Sequence, residues 1–228
     1  MIKGIIFDKD GTLFDFNATW GVWTKGLLQE EAGGDPDTVA RLAEVLGYDL
    51  SNEQFHPDSI VIAHTADEVA DGLLPILPPQ SKAELIARMD ARAATAPQVE
   101  ATPLGPFVDD LRGRGLKIGV VTNDSEAPAR AHLAEAGIED RFDFIAGFDS
   151  GFGAKPDPGQ LLAFCRATGL APDVCAMVGD STHDLHAGRA AGMTCIGVLT
   201  GLAEEAELAP HADVVLPSIA HLGAWLSA

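Results

Sequence analysis

The apolar residues divide the chain into two kinds of segment. At the N-terminus, and again from residue 102 onward, short apolar runs bounded by turn residues alternate with amphipathic stretches. Such runs are typical of strands buried on both faces of a parallel sheet, and the stretches between them have helical spacing. Between residues 14 and 96 the spacing is helical, and no convincing strand is present.

The alternating segments predict an α/β fold. We expect strands at residues 5–7, 116–122, 142–146, 174–179, 194–199 and 213–216. We expect helices at residues 103–114, 125–136, 156–168, 182–191 and 219–226. This alternation indicates a parallel sheet with helices on both faces and right-handed crossovers, which is a Rossmann-like three-layer core.

The segment between the first and second strands is predicted to be an all-helical domain inserted into this core. Its expected helices are residues 16–32, 36–47, 65–77 and 81–96. Thr65 and Ser81 each stand three residues before a glutamate, which is the capping-box pattern at the start of a helix. We therefore assign residues 1–15 and 99–228 to the core and residues 16–98 to the insertion.

Composition limits the class of partner. The 228 residues include 34 acidic and 15 basic side chains, for a formal net charge of −19. Without a basic run that could neutralise a phosphate backbone, a nucleic-acid partner is not expected. The three cysteines form no CxxC pair, and no apolar stretch reaches the roughly 20 residues that a membrane span needs. We expect a cytoplasmic protein without a membrane partner.

Polar residues that could carry chemistry stand where predicted strands end. In parallel α/β folds, ligands bind at the carboxyl ends of the strands, so residues that follow different strands can meet in one site. The candidates are Asp8, Asp10, Gly11, Thr122, Asn123, Lys155, Asp180 and Asp184.

The end of the first strand has the features of a cation site. Asp8 and Asp10 would repel each other unless a cation lay between them. Strand alternation would place both on one side and Lys9 on the other, and Gly11 would permit a tight turn with N–H groups facing a ligand. Taken singly, each candidate also has a structural interpretation, such as an Asp-rich turn, a helix cap at residues 122–125 or a surface lysine.

Four motifs together resemble those of the haloacid-dehalogenase-like superfamily. They are Asp-x-Asp-Gly-Thr-Leu at residues 8–13, Thr122, the Lys155–Pro156 pair, and Gly-Asp-x-x-x-Asp at residues 179–184. The inserted segment is similar to the helical C1-type cap of that superfamily, and we call it the cap. The length, the cap position and residues 179–192 look like those of phosphoglycolate-phosphatase-type hydrolases.

The resemblance implies phosphatase chemistry. Asp8 would attack phosphorus and form an aspartyl-phosphate. Asp10 would protonate the leaving alcohol and then accept a proton from water. Mg²⁺ would be bound by the Asp8 carboxylate, the Asp10 backbone carbonyl and Asp180, and Asp184 would orient a water or a lysine.

The same resemblance assigns the phosphate site. Phosphate oxygens would be held by Thr122 and by the N–H groups of Gly11 and Asn123, while Lys155 would stabilise charge on the transferring group. The expected partner is a small phosphorylated metabolite, with 2-phosphoglycolate as the first candidate, and the expected state is a monomer or homodimer.

Two alternatives stay open, a phosphomutase of the β-phosphoglucomutase type and a non-catalytic binding protein on the same fold. Lys9 also has two interpretations, a structural ion pair or a group that tunes the site. A substrate with a second anion would need a basic cap residue, and the sequence does not select one. The candidates are Lys25, Arg41, His56, His64, Lys82, Arg88 and Arg92.

Overall fold

A parallel sheet forms the centre of the protein, which is described here from a computed structural model of residues 1–56 and 58–227. The strands in chain order are β1 (Gly4–Phe7), β2 (Tyr48–Asp49), β3 (Gln54–Phe55), β4 (Lys117–Val121), β5 (Phe144–Ala146), β6 (Cys175–Gly179), β7 (Thr194–Val198) and β8 (Val214–Leu216). The central sheet has the order β5-β4-β1-β6-β7-β8, and every neighbouring pair is parallel.

Helices precede or follow most of these strands. They are α1 (Phe16–Glu31), α2 (Pro36–Leu46), α3 (Ile60–Ala63), α4 (Ala66–Leu73), α5 (Lys82–Ala93), α6 (Leu104–Gly113), α7 (Glu126–Glu135), α8 (Gly159–Thr168), α9 (Thr182–Ala191), α10 (Glu205–Leu208) and α11 (Leu222–Trp225). Within the described chain, no helix is both long enough and apolar enough to cross a bilayer.

The two faces of the sheet bury different helices. On one face Ile5 and Phe7 pack in a cluster with residues of α6, α7 and α11. On the other face Ile6 packs with Phe164 of α8 and Ala187 of α9. Alternate strand residues point to opposite faces, so a short apolar run such as β1 supplies both clusters. The predicted α/β fold with a parallel sheet and a three-layer core is confirmed.

The cap has a buried core of its own. Trp23 and Leu27 of α1 pack with apolar residues of α2, α4 and α5, in a cluster that contains only residues 16–96. The capping boxes are present, with Thr65 paired to Glu68 and Ser81 paired to Glu84. This separate core supports the division at residues 16–98, which we retain as a proposal.

The cap differs in one respect from the all-helical expectation, because β2 and β3 form a small antiparallel pair. The rings of Tyr48 and Phe55 pack edge to face across this pair, 5.0 Å apart. Two residues per strand are too few to show alternation, so the sequence pattern could not indicate them.

One core helix also begins later than expected, since α8 starts at Gly159 and not at Pro156. A residue before proline is disfavoured in the helical region, and Asp157 precedes Pro158. The Lys155–Pro156 peptide is cis.

Candidate active site

The ends of three neighbouring strands bring the predicted residues together. β1 lies between β4 and β6, so the segments that follow these strands meet at one edge of the sheet. A cavity between this edge and the cap contains most of the candidates. Its lining includes Asp8, Asp10, Thr122, Asn123 and Lys155.

Three carboxylates form the most concentrated polar cluster at this edge. Oxygens of Asp8, Asp180 and Asp184 lie within 4.8 Å of one another. The Thr12 hydroxyl donates a hydrogen bond of 3.0 Å to Asp180. A Cβ at Gly201 would clash with the Asp180 carboxylate, so glycine is required for the backbone to approach this closely.

Lys155 provides the cation within this cluster. Its Nζ lies 2.7 Å from Asp8 Oδ1 and 2.6 Å from Asp184 Oδ1. The Asn123 side chain forms two hydrogen bonds of 2.9 Å with the backbone of Lys155. Its Nδ2 donates to the Lys155 carbonyl, and its Oδ1 accepts the Lys155 N–H. Burial disfavours the ammonium form, but attraction to Asp184 and Asp8 outweighs it and raises the pKa of Lys155.

The cluster carries more negative charge than Lys155 balances. Burial raises the pKa of Asp8 to about 7, although Lys155 opposes the shift. Burial and the neighbouring carboxylates hold the pKa of Asp180 well above its usual range. Three carboxylates beside one ammonium leave an excess that a divalent cation would neutralise, and an all-oxygen donor set suits a hard ion such as Mg²⁺. The residues present therefore fit a metal site.

Asp10 lies in a different environment from Asp8. Lys9 Nζ is 2.7 Å from Asp10 Oδ2 and 3.4 Å from Asp124 Oδ2. We expected Lys9 to point away from both aspartates, and for Asp10 this is wrong. The strand ends at Phe7, so the alternation of side chains does not continue through Lys9.

Sequence reasoning missed the other partners of this buried lysine. His132 Nδ1 lies 3.0 Å from Lys9 Nζ, and His132 Nε2 lies 2.6 Å from the carbonyl oxygen of Ala93 in the cap. The Trp20 ring, also in the cap, lies 5.5 Å from the same ammonium. Burial and the adjacent Lys9 lower the pKa of His132 to about 4, so its imidazole is neutral. No local pattern could indicate a contact between residues 9 and 132.

Two predicted phosphate donors have other partners in this structure. The Gly11 N–H donates to the carbonyl oxygen of Phe14 at 2.7 Å, so it is already used within the turn. The Thr122 hydroxyl lines the cavity and accepts the Asp124 N–H at 3.1 Å. A hydroxyl can accept one bond while donating another, so Thr122 stays a candidate, whereas Gly11 does not.

Comparison with known proteins gives the family. A model of the haloacid dehalogenase-like hydrolases matches residues 2–192. The chain belongs to this family. A phosphoglycolate phosphatase from Rhodospirillum rubrum is 31% identical over 231 residues, covering 99% of this chain and 91% of that protein. The predicted class of enzyme, a phosphatase-type hydrolase, is confirmed.

Solved structures show the same fold. A predicted phosphoglycolate phosphatase from Haemophilus somnus has a TM-score of 0.76 and 19% identity, covering 99% of this chain and 98% of that one. A β-phosphoglucomutase from Clostridium difficile has a TM-score of 0.69 and 19% identity, covering 100% of this chain and 96% of that one.

Proposed function

We propose that the chain is a Mg²⁺-dependent phosphatase that hydrolyses a small phosphorylated metabolite through an aspartyl-phosphate on Asp8. The observation that carries this proposal is the cluster of half-buried Asp8 and buried Asp180 and Asp184 beside Lys155, at the carboxyl ends of β1 and β6. Such a cluster has both a nucleophile and the charges that a phosphoryl group requires.

Asp8 is the proposed nucleophile because it lies in both the oxygen cluster and the cavity. Attack of its carboxylate on phosphorus releases the alcohol and forms an acyl phosphate, which water then hydrolyses. Lys155 bonds Asp8 directly, so its ammonium would lie beside the transferring group and stabilise the charge on its oxygens. Asp184 contacts the same ammonium at 2.6 Å and helps to keep it in place.

Asp10 is the proposed acid and base. It lines the same cavity as Asp8, which is the position from which it could protonate the leaving oxygen and later deprotonate water. Its carboxylate lies 2.7 Å from the Lys9 ammonium in the resting structure. We infer that Asp10 leaves this pair when it acts as the acid.

The metal and phosphate sites complete the proposal. Asp8, Asp180 and the backbone carbonyl of Asp10 would hold Mg²⁺, which supplies charge neutralisation between a carboxylate and a phosphate dianion. The Thr122 hydroxyl and the Asn123 N–H would hold phosphate oxygens beside Lys155.

Phosphate release tests this function. The assay uses a panel of phosphorylated metabolites that includes 2-phosphoglycolate, the substrate in the name of the Rhodospirillum rubrum relative. We expect release with Mg²⁺ and none with EDTA. Asp10→Asn should lower kcat by about 10²- to 10⁴-fold, the usual contribution of a general acid–base group. Asp8→Asn should reduce release to background, and Mg²⁺-dependent release by this variant would contradict the assignment.

A phosphomutase is the second candidate, because the cap contacts the core next to the cavity. Ser125 donates to Asp90 of the cap at 2.9 Å, beside the bond between His132 and Ala93. A closed cap excludes water, as a mutase requires. Incubation with a hexose 1-phosphate distinguishes the two, since a mutase yields an isomer and little free phosphate.

A further inference from the structure

The cap side of the cavity is mainly apolar. It is lined by side chains from α1, α3, α4 and α5. These include Phe16, Trp20, Trp23, Val61, Val69 and Met89. Trp23 also uses its indole N–H internally, donating to the Met89 carbonyl at 3.1 Å. The part of the cavity next to the phosphate site therefore offers a substrate mostly hydrocarbon contact.

Positive charge is scarce in this cavity. Among the described residues that line it, Lys155 is the only lysine and there is no arginine. Lys155 is already paired with Asp8 and Asp184 in the phosphate site. Of the basic cap residues named above, His64 lines the cavity, and four others form ion pairs outside its lining. These pairs are Lys25–Glu53, Lys82–Asp67, Arg88–Glu31 and Arg92–Glu30.

The cap also contributes an acid to the described lining of the cavity. Asp90 contributes a half-buried carboxylate, which accepts a hydrogen bond of 2.9 Å from Ser125 Oγ. Burial raises the pKa of Asp90 despite that bond. A carboxylate on the substrate would meet this like charge, and among the described lining residues Lys155, already paired in the phosphate site, is the only lysine or arginine that could oppose it.

Two histidines add polar groups to the lining. His64 and His183 both border the cavity, one from the cap and one from the core. An imidazole nitrogen can exchange a hydrogen bond with a hydroxyl group. These residues therefore suit a neutral polar group on the leaving alcohol.

We propose that the substrate is a phosphate monoester of an uncharged alcohol with an apolar body, and that esters with a second anion are poor substrates. This inference rests on the phosphatase function proposed above and specifies its substrate class. Recognition would combine the charged phosphate site with hydrocarbon contact to the cap.

Four esters test the inference with the wild-type holoenzyme. In 2-hydroxyethyl phosphate, a neutral hydroxymethyl group replaces the carboxylate of 2-phosphoglycolate at nearly the same size. Phenyl phosphate adds apolar surface, and phosphocholine adds a positive charge. We expect kcat/KM for 2-hydroxyethyl phosphate to exceed that for 2-phosphoglycolate by about tenfold or more, because a like charge opposes the second anion. Phenyl phosphate should be better still.

The outcomes separate the two proposals. Equal or higher kcat/KM for 2-phosphoglycolate would overturn the inference and leave the phosphatase function intact. Phosphocholine as the best of the four would also overturn it, in favour of a cation site at Asp90. No phosphate release from any ester would count against the phosphatase function itself.

Removal of the Asp90 charge tests the same inference through the preference between two esters. Asp90→Asn should raise the ratio of kcat/KM for 2-phosphoglycolate to that for 2-hydroxyethyl phosphate by roughly fivefold, because it removes the like charge but keeps an acceptor for Ser125. Asp37→Asn is the matched control, since Asp37 is an exposed cap acid outside the cavity. Equal ratios in both variants would show that Asp90 does not select against the second anion.

Discussion

Replacement of Lys9 by methionine should test how the buried charges at the cap–core junction contribute to stability. The Lys9 side chain is fully buried, and the side chains of Asp10 and Asp124 are only 12% and 6% exposed. Methionine has a similar length and an apolar character, so Lys9→Met removes the charge while largely filling the space. The two carboxylates and His132 Nδ1 would lose their shared partner.

The expected loss of stability follows from this burial. Removal of one partner from a buried ion pair typically costs about 3 to 5 kcal/mol, because the other charge stays buried and uncompensated. Since these partners are almost inaccessible, solvent screening gives little relief. With a urea m-value of about 2 kcal/mol per M, the unfolding midpoint should fall by about 1.5 to 2.5 M.

The loss of stability caused by Lys9→Met should depend on pH, because Lys9 interacts with the titratable carboxyl group of Asp124. Burial raises its pKa to about 6, even though Lys9 lowers it. A raised carboxyl pKa means that the folded state binds a proton more tightly, so the contribution of Asp124 to stability decreases as pH rises from about 4 to about 6. At pH 5 Asp124 is mostly protonated, and Lys9 matters less to it. The penalty of Lys9→Met should therefore be about 1 kcal/mol smaller at pH 5 than at pH 7.

Urea unfolding followed by circular dichroism, at pH 5 and pH 7, measures both effects. Lys25→Met is the control, since the Lys25–Glu53 pair lies at the surface, and its midpoint should not change measurably. If Lys9→Met unfolded at the same urea concentration as Lys25→Met, the buried lysine would not be an important source of stability, and this reasoning would be refuted.

Three further predictions concern the pH dependence of Mg²⁺ binding, the close approach of Gly201 to Asp180, and the glycine within helix α1. Because burial raises the pKa of Asp8 to about 7, Mg²⁺ must displace a proton there, and calorimetric titration should show affinity increasing from about pH 6 to about pH 8. The methyl group added by Gly201→Ala would clash with the Asp180 carboxylate, so Mg²⁺ affinity should fall by about tenfold or more. The circular dichroism spectrum should not change. Gly21 lies within α1, and an added Cβ would have no atom within 4 Å apart from its chain neighbours and the backbone of the helix itself, so Gly21→Ala should raise the free energy of unfolding by about 1 kcal/mol in urea titration.

The features that could be predicted from sequence are those set by local patterns and by sheet topology. The run Ile5–Phe7 indicated a buried strand, and the capping boxes at Thr65 and Ser81 indicated helix starts that the structure contains. Three separate strand ends could be placed together because parallel strands share a carboxyl edge. The cluster of Asp8, Asp180 and Asp184 is therefore a consequence of topology that four short motifs could indicate.

The features that could not be predicted depend on contacts distant in sequence or on elements too short to show a period. The two-residue strands β2 and β3 have no readable alternation. The contact between Lys9 and His132 spans 123 positions. The ion pairs of Lys82 with Asp67 and of Arg88 with Glu31 are also invisible in the sequence, and neither Lys82 nor Arg88 lines the cavity.

The contacts of Lys9 combine its two interpretations, a structural ion pair and a group that tunes the site. It forms a structural ion pair, yet its partner is Asp10, the proposed acid and base. Five carboxylates at this edge, those of Asp8, Asp10, Asp124, Asp180 and Asp184, face two ammonium groups. Lys155 shares the cluster that fits a metal, whereas Lys9 neutralises Asp10 and Asp124 on the side toward the cap. Asp10 therefore has a counter-ion that does not depend on Mg²⁺. Removal of the metal should leave the Lys9–Asp10 pair intact, whereas the carboxylates of Asp8, Asp180 and Asp184 would then share Lys155 alone. The acid and the nucleophile therefore have different counter-ions.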